Sequence, residues 1–143
     1  MASVMSYSLA FSQAIAISLY ITYKIEEQIY DFVPTHEIAD FLGIAKPSVV
    51  KVVQSLTNAG LIETREGAKG GVRLTRNSQA INLLDIFNAI EQAKPLFRLN
   101  IHPTEPKIEA LAARQRMVAS LQRAEAAMKQ ELQAVTLADL YSG

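Results

Sequence analysis

The sequence predicts a mainly α-helical fold with a small β-wing: a winged helix-turn-helix domain followed by a long C-terminal dimerisation helix. Two short helical patterns around a glycine turn, between 35 and 60, are followed by two β-prone runs. A stretch of strong helix formers without proline or glycine, from 107 to 135, predicts the long helix. The predicted units are the winged domain at 1–93, a linker or sensor-like loop at 94–106, and the dimerisation helix with a short terminal helix at 107–143.

Two helices joined by a tight turn are predicted first. Thr35 can cap the first helix, and Gly43 can supply the positive φ that the turn requires. Pro47 suits the first position of the second helix, and Gly60 ends it. The apolar residues of this second helix recur at helical spacing: Val49, Val52, Val53 and Leu56.

The other face of the second helix is polar, so we interpret this helix as a recognition helix. Its side chains are of types that contact phosphates and base edges, and Val50 adds apolar contact. The polar positions are Lys46, Ser48, Lys51, Gln54 and Asn58. Solvated surface residues are the alternative interpretation for the lysines.

The two β-prone runs, 61–65 and 71–75, predict a hairpin. The loop between them contains glycines at 67 and 70, with Lys69 near its centre, and allows the backbone to approach another molecule closely. A wing is therefore expected at this position.

The net charge is zero, which does not favour a bulk polyanion binder. Between 46 and 76, however, six basic residues face only two acids, Glu63 and Glu66. This focused positive charge suggests that two subunits are needed to sum enough phosphate contacts.

The N-terminal part of the chain is apolar, and a buried first helix from about Ser8 to Lys24 is predicted. A membrane span is the alternative, but polar residues interrupt the run and no basic region precedes it. The absence of cysteine fits a reducing cytoplasm. The expectation is a cytoplasmic protein with no membrane partner.

Two further helix starts are predicted in the C-terminal half of the chain, together with a long helix that is expected to pair with another subunit. Asn82 can cap a domain-closing helix with Asp85 in its first turn, and Thr136 with Asp139 resembles another helix start. The long helix carries an apolar stripe at spacings of three and four, and such a helix usually needs a partner. The stripe consists of Ile108, Leu111, Val118, Leu121, Met128, Leu132 and Val135.

Several segments together resemble the bacterial winged-helix regulators that include IscR, NsrR and CymR. The resemblance covers nearly the whole chain in order. It is carried by the first helix, IADFLGI at 38–44, LTNAGLI at 56–62, REGAKGGVRL at 65–74 and INLLDIFNAIE at 81–91.

The resemblance implies a homodimeric, sequence-specific transcription regulator, often a repressor, that binds a palindromic operator in double-stranded DNA. The long helix would form the dimer, the recognition helix would enter the major groove, and the wing would reach the adjacent minor groove or backbone. The implied recognition residues are Lys46, Pro47, Ser48, Val50 and Lys51, and the implied wing residues are Arg65, Lys69 and Arg73; Gln54 joins them from the polar face.

The chain departs from this family pattern in three places. Cluster-binding members carry three cysteines after the domain-closing helix, whereas 94–106 has none, so neither an iron-sulfur cluster nor another cofactor is expected. Glu66 stands where the family usually has arginine, and the first helix lacks early basic residues. Both changes imply a weaker DNA contact.

The residues also bear on functions other than DNA binding. An enzyme is not expected, because cysteine, a phosphate-binding glycine loop and a recognisable catalytic grouping are all missing. His102 and Glu105 alone do not make a metal site. Two alternatives remain: a winged-helix module for protein-protein contact, and a sensor in which an unidentified small-molecule effector binds the apolar linker at 96–101.

Overall fold

The first helix, α1 (Leu9–Glu26), runs through the centre of the fold. The computed structural model describes residues 9–91, 96–97 and 108–142 of the 143. Residues on several sides of α1 are buried, including Ala14, Ile17 and Ile21, because four other helices and a β-hairpin pack around it. Along the described residues, no helix combines the length and apolar character needed to cross a bilayer.

The helix-turn-helix consists of α2 (Thr35–Leu42) and α3 (Lys46–Asn58). Gly43 has a φ of 66° and its backbone N–H donates to the Ala39 carbonyl, as the sequence predicts for the turn. The prediction that Thr35 caps α2 is wrong. The Pro34 carbonyl accepts the first amide bonds of the helix, so Thr35 lies inside the first turn instead of before it.

The wing is an antiparallel hairpin of β1 (Ile62–Arg65) and β2 (Gly71–Leu74). Its register pairs Glu63 with Arg73 and Arg65 with Gly71. A short 3-10 helix then leads to α4 (Leu83–Glu91). As predicted, the Asn82 side chain caps α4 by accepting the Asp85 N–H at 2.8 Å. The Asp85 carboxylate also accepts the Asn82 N–H at 3.0 Å, which makes the cap reciprocal.

The C-terminal part comprises the long α5 (Ile108–Gln133) and the short α6 (Leu137–Ser142). Thr136 and Asp139 begin α6, as predicted, and form a reciprocal cap with bonds of 2.9 and 3.0 Å. Leu137 is fully buried in the core of the winged domain, and its N–H donates to the Ile81 carbonyl at 2.9 Å. Apart from residues 96 and 97, the predicted linker at 94–106 lies outside the described residues.

Candidate nucleic-acid interface

Helix α3 is divided into a buried face and an exposed face. Its four predicted apolar residues, Val49, Val52, Val53 and Leu56, are at most 8% exposed and pack in the core. The opposite face is available to solvent, with Ser48 half-buried at its edge. The exposed positions are Lys46, Pro47, Val50, Lys51, Gln54 and Asn58.

Lys69 lies in the wing tip, and two arginines lie on one face of the hairpin. Arg65 and Arg73 occupy alternate positions on paired strands, so both side chains point to the same face. Both guanidinium groups contact the aromatic ring of Phe32, whose centroid lies 4.1 Å from the Arg65 guanidinium carbon and 4.4 Å from that of Arg73. The backbone N–H of Gly70 donates to the Gly67 carbonyl at 3.0 Å and closes the tip.

The basic residues of this surface differ in how far their charges are balanced. Arg73 forms an ion pair with the Glu63 carboxylate, and Arg76 lies 3.9 Å from Asp85. Other basic side chains have no carboxylate within 4.0 Å in the part of the chain that the structure describes. These are Lys46, Lys51, Arg65 and Lys69. The unbalanced positive charge therefore lies on α3, on the wing tip and at Arg65.

A polar cluster holds α2 against α1 and against the loop between them. The hydroxyls of Tyr20 and Tyr30 donate to the Glu37 carboxylate at 2.8 and 2.6 Å, and the Lys24 ammonium lies 3.8 Å away. The hydrogen bond from Tyr30 is the main cause that lowers the pKa of Glu37, and the same hydrogen bond is the main cause that raises the pKa of Tyr30. Burial, followed by the bond to Glu37, raises the pKa of Tyr20. The charged Glu37 thus fixes the orientation of α2.

The apolar stripe of α5 remains accessible in the single chain, and α5 contains no buried residue. Ile108 is 82% exposed and Leu111 is 43% exposed. The rest of the stripe on α5 is half-buried: Val118, Leu121, Met128 and Leu132. Val135, which the sequence places on the same stripe, lies beyond the end of α5 and is also half-buried.

The donor set for a metal is limited. Among the described residues, no group of three or more His, Cys, Asp or Glu side chains is placed to hold a metal ion. His102 and Glu105 lie outside the described residues. The chain contains no cysteine, so an iron centre held by thiolates does not fit its residues.

A helix-turn-helix, a following two-stranded wing and a long C-terminal helix define a winged helix-turn-helix protein. Residues 8–143 match the model of the Rrf2 family, described as an iron-dependent transcriptional regulator. The chain belongs to this family.

Solved structures share this fold, and a curated protein shares part of the sequence. IscR from T. potens superimposes with a TM-score of 0.72 at 18% identity, covering 97% of this chain and 88% of that one. CymR, the global cysteine regulator of B. subtilis, gives 0.68 at 24% identity, covering 99% and 98% of the two chains. The Rhizobium meliloti protein aau3 is 42% identical over 57 residues, and this match spans only 40% of the chain and 37% of aau3.

Phe32, Tyr20, Tyr30 and Glu37 were not predicted as parts of the site. Phe32 precedes α2 in an apolar run, and nothing in the local pattern pairs it with arginines more than thirty residues later. The sequence does carry a signal for the arginine face of the wing. Glu63 and Arg65 are two positions apart on the first predicted strand and so share one face, and Arg73 lies on the second predicted strand.

Proposed function

We propose that this protein is a dimeric, sequence-specific DNA-binding transcription regulator that acts as a repressor in the cytoplasm. The observation that carries the proposal is the exposed face of α3, where Lys46, Val50, Lys51 and Gln54 are accessible while the opposite face holds the helix in the core. Such a face offers phosphate contacts, amide hydrogen bonds and apolar contact with thymine methyl groups.

The wing supplies a second point of contact. Lys69 at the tip and Arg65 at the end of β1 have charges that no carboxylate of the described chain balances. In the proposed complex α3 enters the major groove, and these two residues contact the adjacent backbone or minor groove.

Two copies joined along α5 would present two recognition helices to one duplex. The accessible apolar stripe supports this arrangement, since pairing would remove Ile108 and Leu111 from water. A two-fold dimer binds half-sites about 10 base pairs apart, so the operator is expected to be palindromic.

Selection of binding sites from random duplex DNA with the purified protein tests the proposal. The expected result is enrichment of one palindromic sequence, with affinity that falls steeply as salt rises. Repression is then tested by placing that sequence in a reporter promoter with and without the protein. No enrichment, even at low salt, would refute sequence-specific binding and favour a protein-protein module.

A further inference from the structure

Phe32 lies between the helix-turn-helix and the wing, although it belongs to the loop before α2. The residue is only 9% exposed, and the guanidinium carbons of Arg65 and Arg73 lie 4.1 and 4.4 Å from its ring centroid. The next residue, Val33, is joined to Val72 of β2 by two backbone hydrogen bonds. The ring is therefore fixed relative to the wing by the backbone beside it.

The two arginines are not equivalent. The Glu63 carboxylate binds Arg73, its cross-strand partner in the hairpin register. Within residues 9–91, 96–97 and 108–142, Arg65 has no such carboxylate, although it lies on the same face. Phe32 thus contacts one balanced and one unbalanced guanidinium.

Stacking on an aromatic ring uses the flat face of a guanidinium and leaves the N–H donors at its edge available. Those edge donors match the geometry of phosphate oxygens. A side chain already held in place also loses less conformational freedom when it binds. The Arg65 guanidinium carbon lies 4.1 Å from the Phe32 ring centroid, within the range of such a contact, and Arg65 is exposed at the end of β1.

We propose that Phe32 is a positioning residue that holds Arg65 ready to bind a DNA phosphate, while Glu63 restricts Arg73 to a supporting role. This inference rests on the proposed DNA-binding function and assigns a role to a residue outside both the recognition helix and the wing.

A double-mutant cycle tests the inference. Affinity for the selected duplex is measured by fluorescence anisotropy over a salt series for Phe32→Leu, Arg65→Ala and the double variant. Phe32→Leu is expected to raise Kd about 2- to 5-fold, the effect of losing one cation-π contact. Arg65→Ala is expected to lower the salt slope by about one unit. In the Arg65→Ala background, Phe32→Leu should cause no further loss.

Two control variants separate positioning from general stability. Phe32→Tyr keeps the ring and should retain wild-type affinity. Phe87→Leu makes the same substitution at a residue that is 8% exposed on α4 and packs against Phe11. It should lower the melting temperature as Phe32→Leu does, but leave Kd and salt slope unchanged.

The outcomes distinguish this inference from the function on which it rests. A wild-type Kd for Phe32→Leu, or the same loss with and without Arg65, would overturn the positioning role while DNA binding stands. A wild-type protein with no sequence preference would remove the proposed function, and the inference with it.

Discussion

Val33 exchanges two backbone hydrogen bonds with Val72: its N–H donates to the Val72 carbonyl at 2.8 Å, and the Val72 N–H donates back at 2.9 Å. Both side chains are fully buried. The segment that leads into α2 thus forms an isolated antiparallel β-bridge with the second strand of the wing. Backbone bonds, which do not depend on side-chain rotamers, fix the wing relative to the helix-turn-helix.

Gly71→Ala should disrupt this junction. A Cβ at position 71 would lie 2.3 Å from the Val33 carbonyl oxygen, and the φ of 153° is unfavourable for a side chain. We expect the free energy of unfolding to fall by roughly 3 kcal/mol, measured by chemical denaturation. Gly67→Ala is the control, because its φ is 103° but no atom lies within 4 Å of the added Cβ. Equal losses for both variants would contradict the steric explanation.

Lys69→Ala should weaken DNA binding by a similar factor for all sequences. Lys69 is exposed in the wing tip, where a phosphate contact is expected. The slope of log affinity against log salt should fall by about one unit. Lys129→Ala removes the same charge from α5 and should leave the slope unchanged. A Lys69→Ala effect confined to one operator would instead indicate base recognition.

Val50→Ala should change which sequence is preferred. Val50 is 47% exposed on α3, whereas its neighbour Val49 is fully buried. The loss of apolar contact should alter discrimination at one base pair by on the order of 1 kcal/mol, measured by competition between selected sites. Val49→Ala should lower stability by on the order of 2 kcal/mol and keep the site preference. An unchanged preference for Val50→Ala would place base contact elsewhere on α3.

Tyr30→Phe should lower the melting temperature in a pH-dependent way. The pKa of Glu37 is held below its ordinary value of 4.5, mainly by the Tyr30 bond. The contribution of this hydrogen bond to folding stability is therefore complete at pH values above the ordinary pKa of Glu37. It is lost as the pH falls through the lower pKa that Glu37 has in the folded protein. The difference from wild type should be present near neutral pH and shrink in acid.

Tyr23→Phe provides the control for the pH experiment, because the described residues offer the Tyr23 hydroxyl no hydrogen-bond partner. It should melt like the wild type across the same pH range. A Tyr30→Phe deficit that is constant with pH would show that the charge on Glu37 is not involved.

Replacing both Leu121 and Met128 by aspartate should produce monomers. These residues lie on the apolar stripe of α5, where two charges would have to be buried on pairing. Analytical ultracentrifugation measures the result, and replacing the exposed Gln122 and Gln130 by aspartate adds the same charge as a control. A persistent dimer in the first variant would move the interface away from this stripe.

The parts of the fold that depend on local sequence could be predicted closely. The Gly43 turn, the helix starts at Asn82 and Thr136 and the glycine-rich hairpin each need particular residues at short spacing, and all are present. Helix ends are predicted less closely: α1 extends to Glu26, two residues beyond its predicted end. The predicted capping role of Thr35 is wrong because α2 begins one residue earlier, at the Pro34 carbonyl, without a capping side chain.

The tertiary contacts of the site could not be predicted in the same way. Periodicity identified the exposed face of α3, since that face is the complement of a buried one. The contact between Arg65 and the Phe32 ring joins a strand and a loop that are distant in the chain, so no local pattern encodes it. The Glu37 cluster likewise depends on how α1 and α2 cross.

The burial of Leu137 has a consequence for dissecting the protein. This residue near the end of the chain fills the core of the winged domain, and the Val135 carbonyl accepts the N–H of Leu83 at 2.9 Å. Truncation of the chain at the linker would remove Leu137 from the core and leave the Ile81 carbonyl without its hydrogen-bond donor. The isolated amino-terminal fragment is therefore expected to aggregate and not to fold into a stable DNA-binding domain.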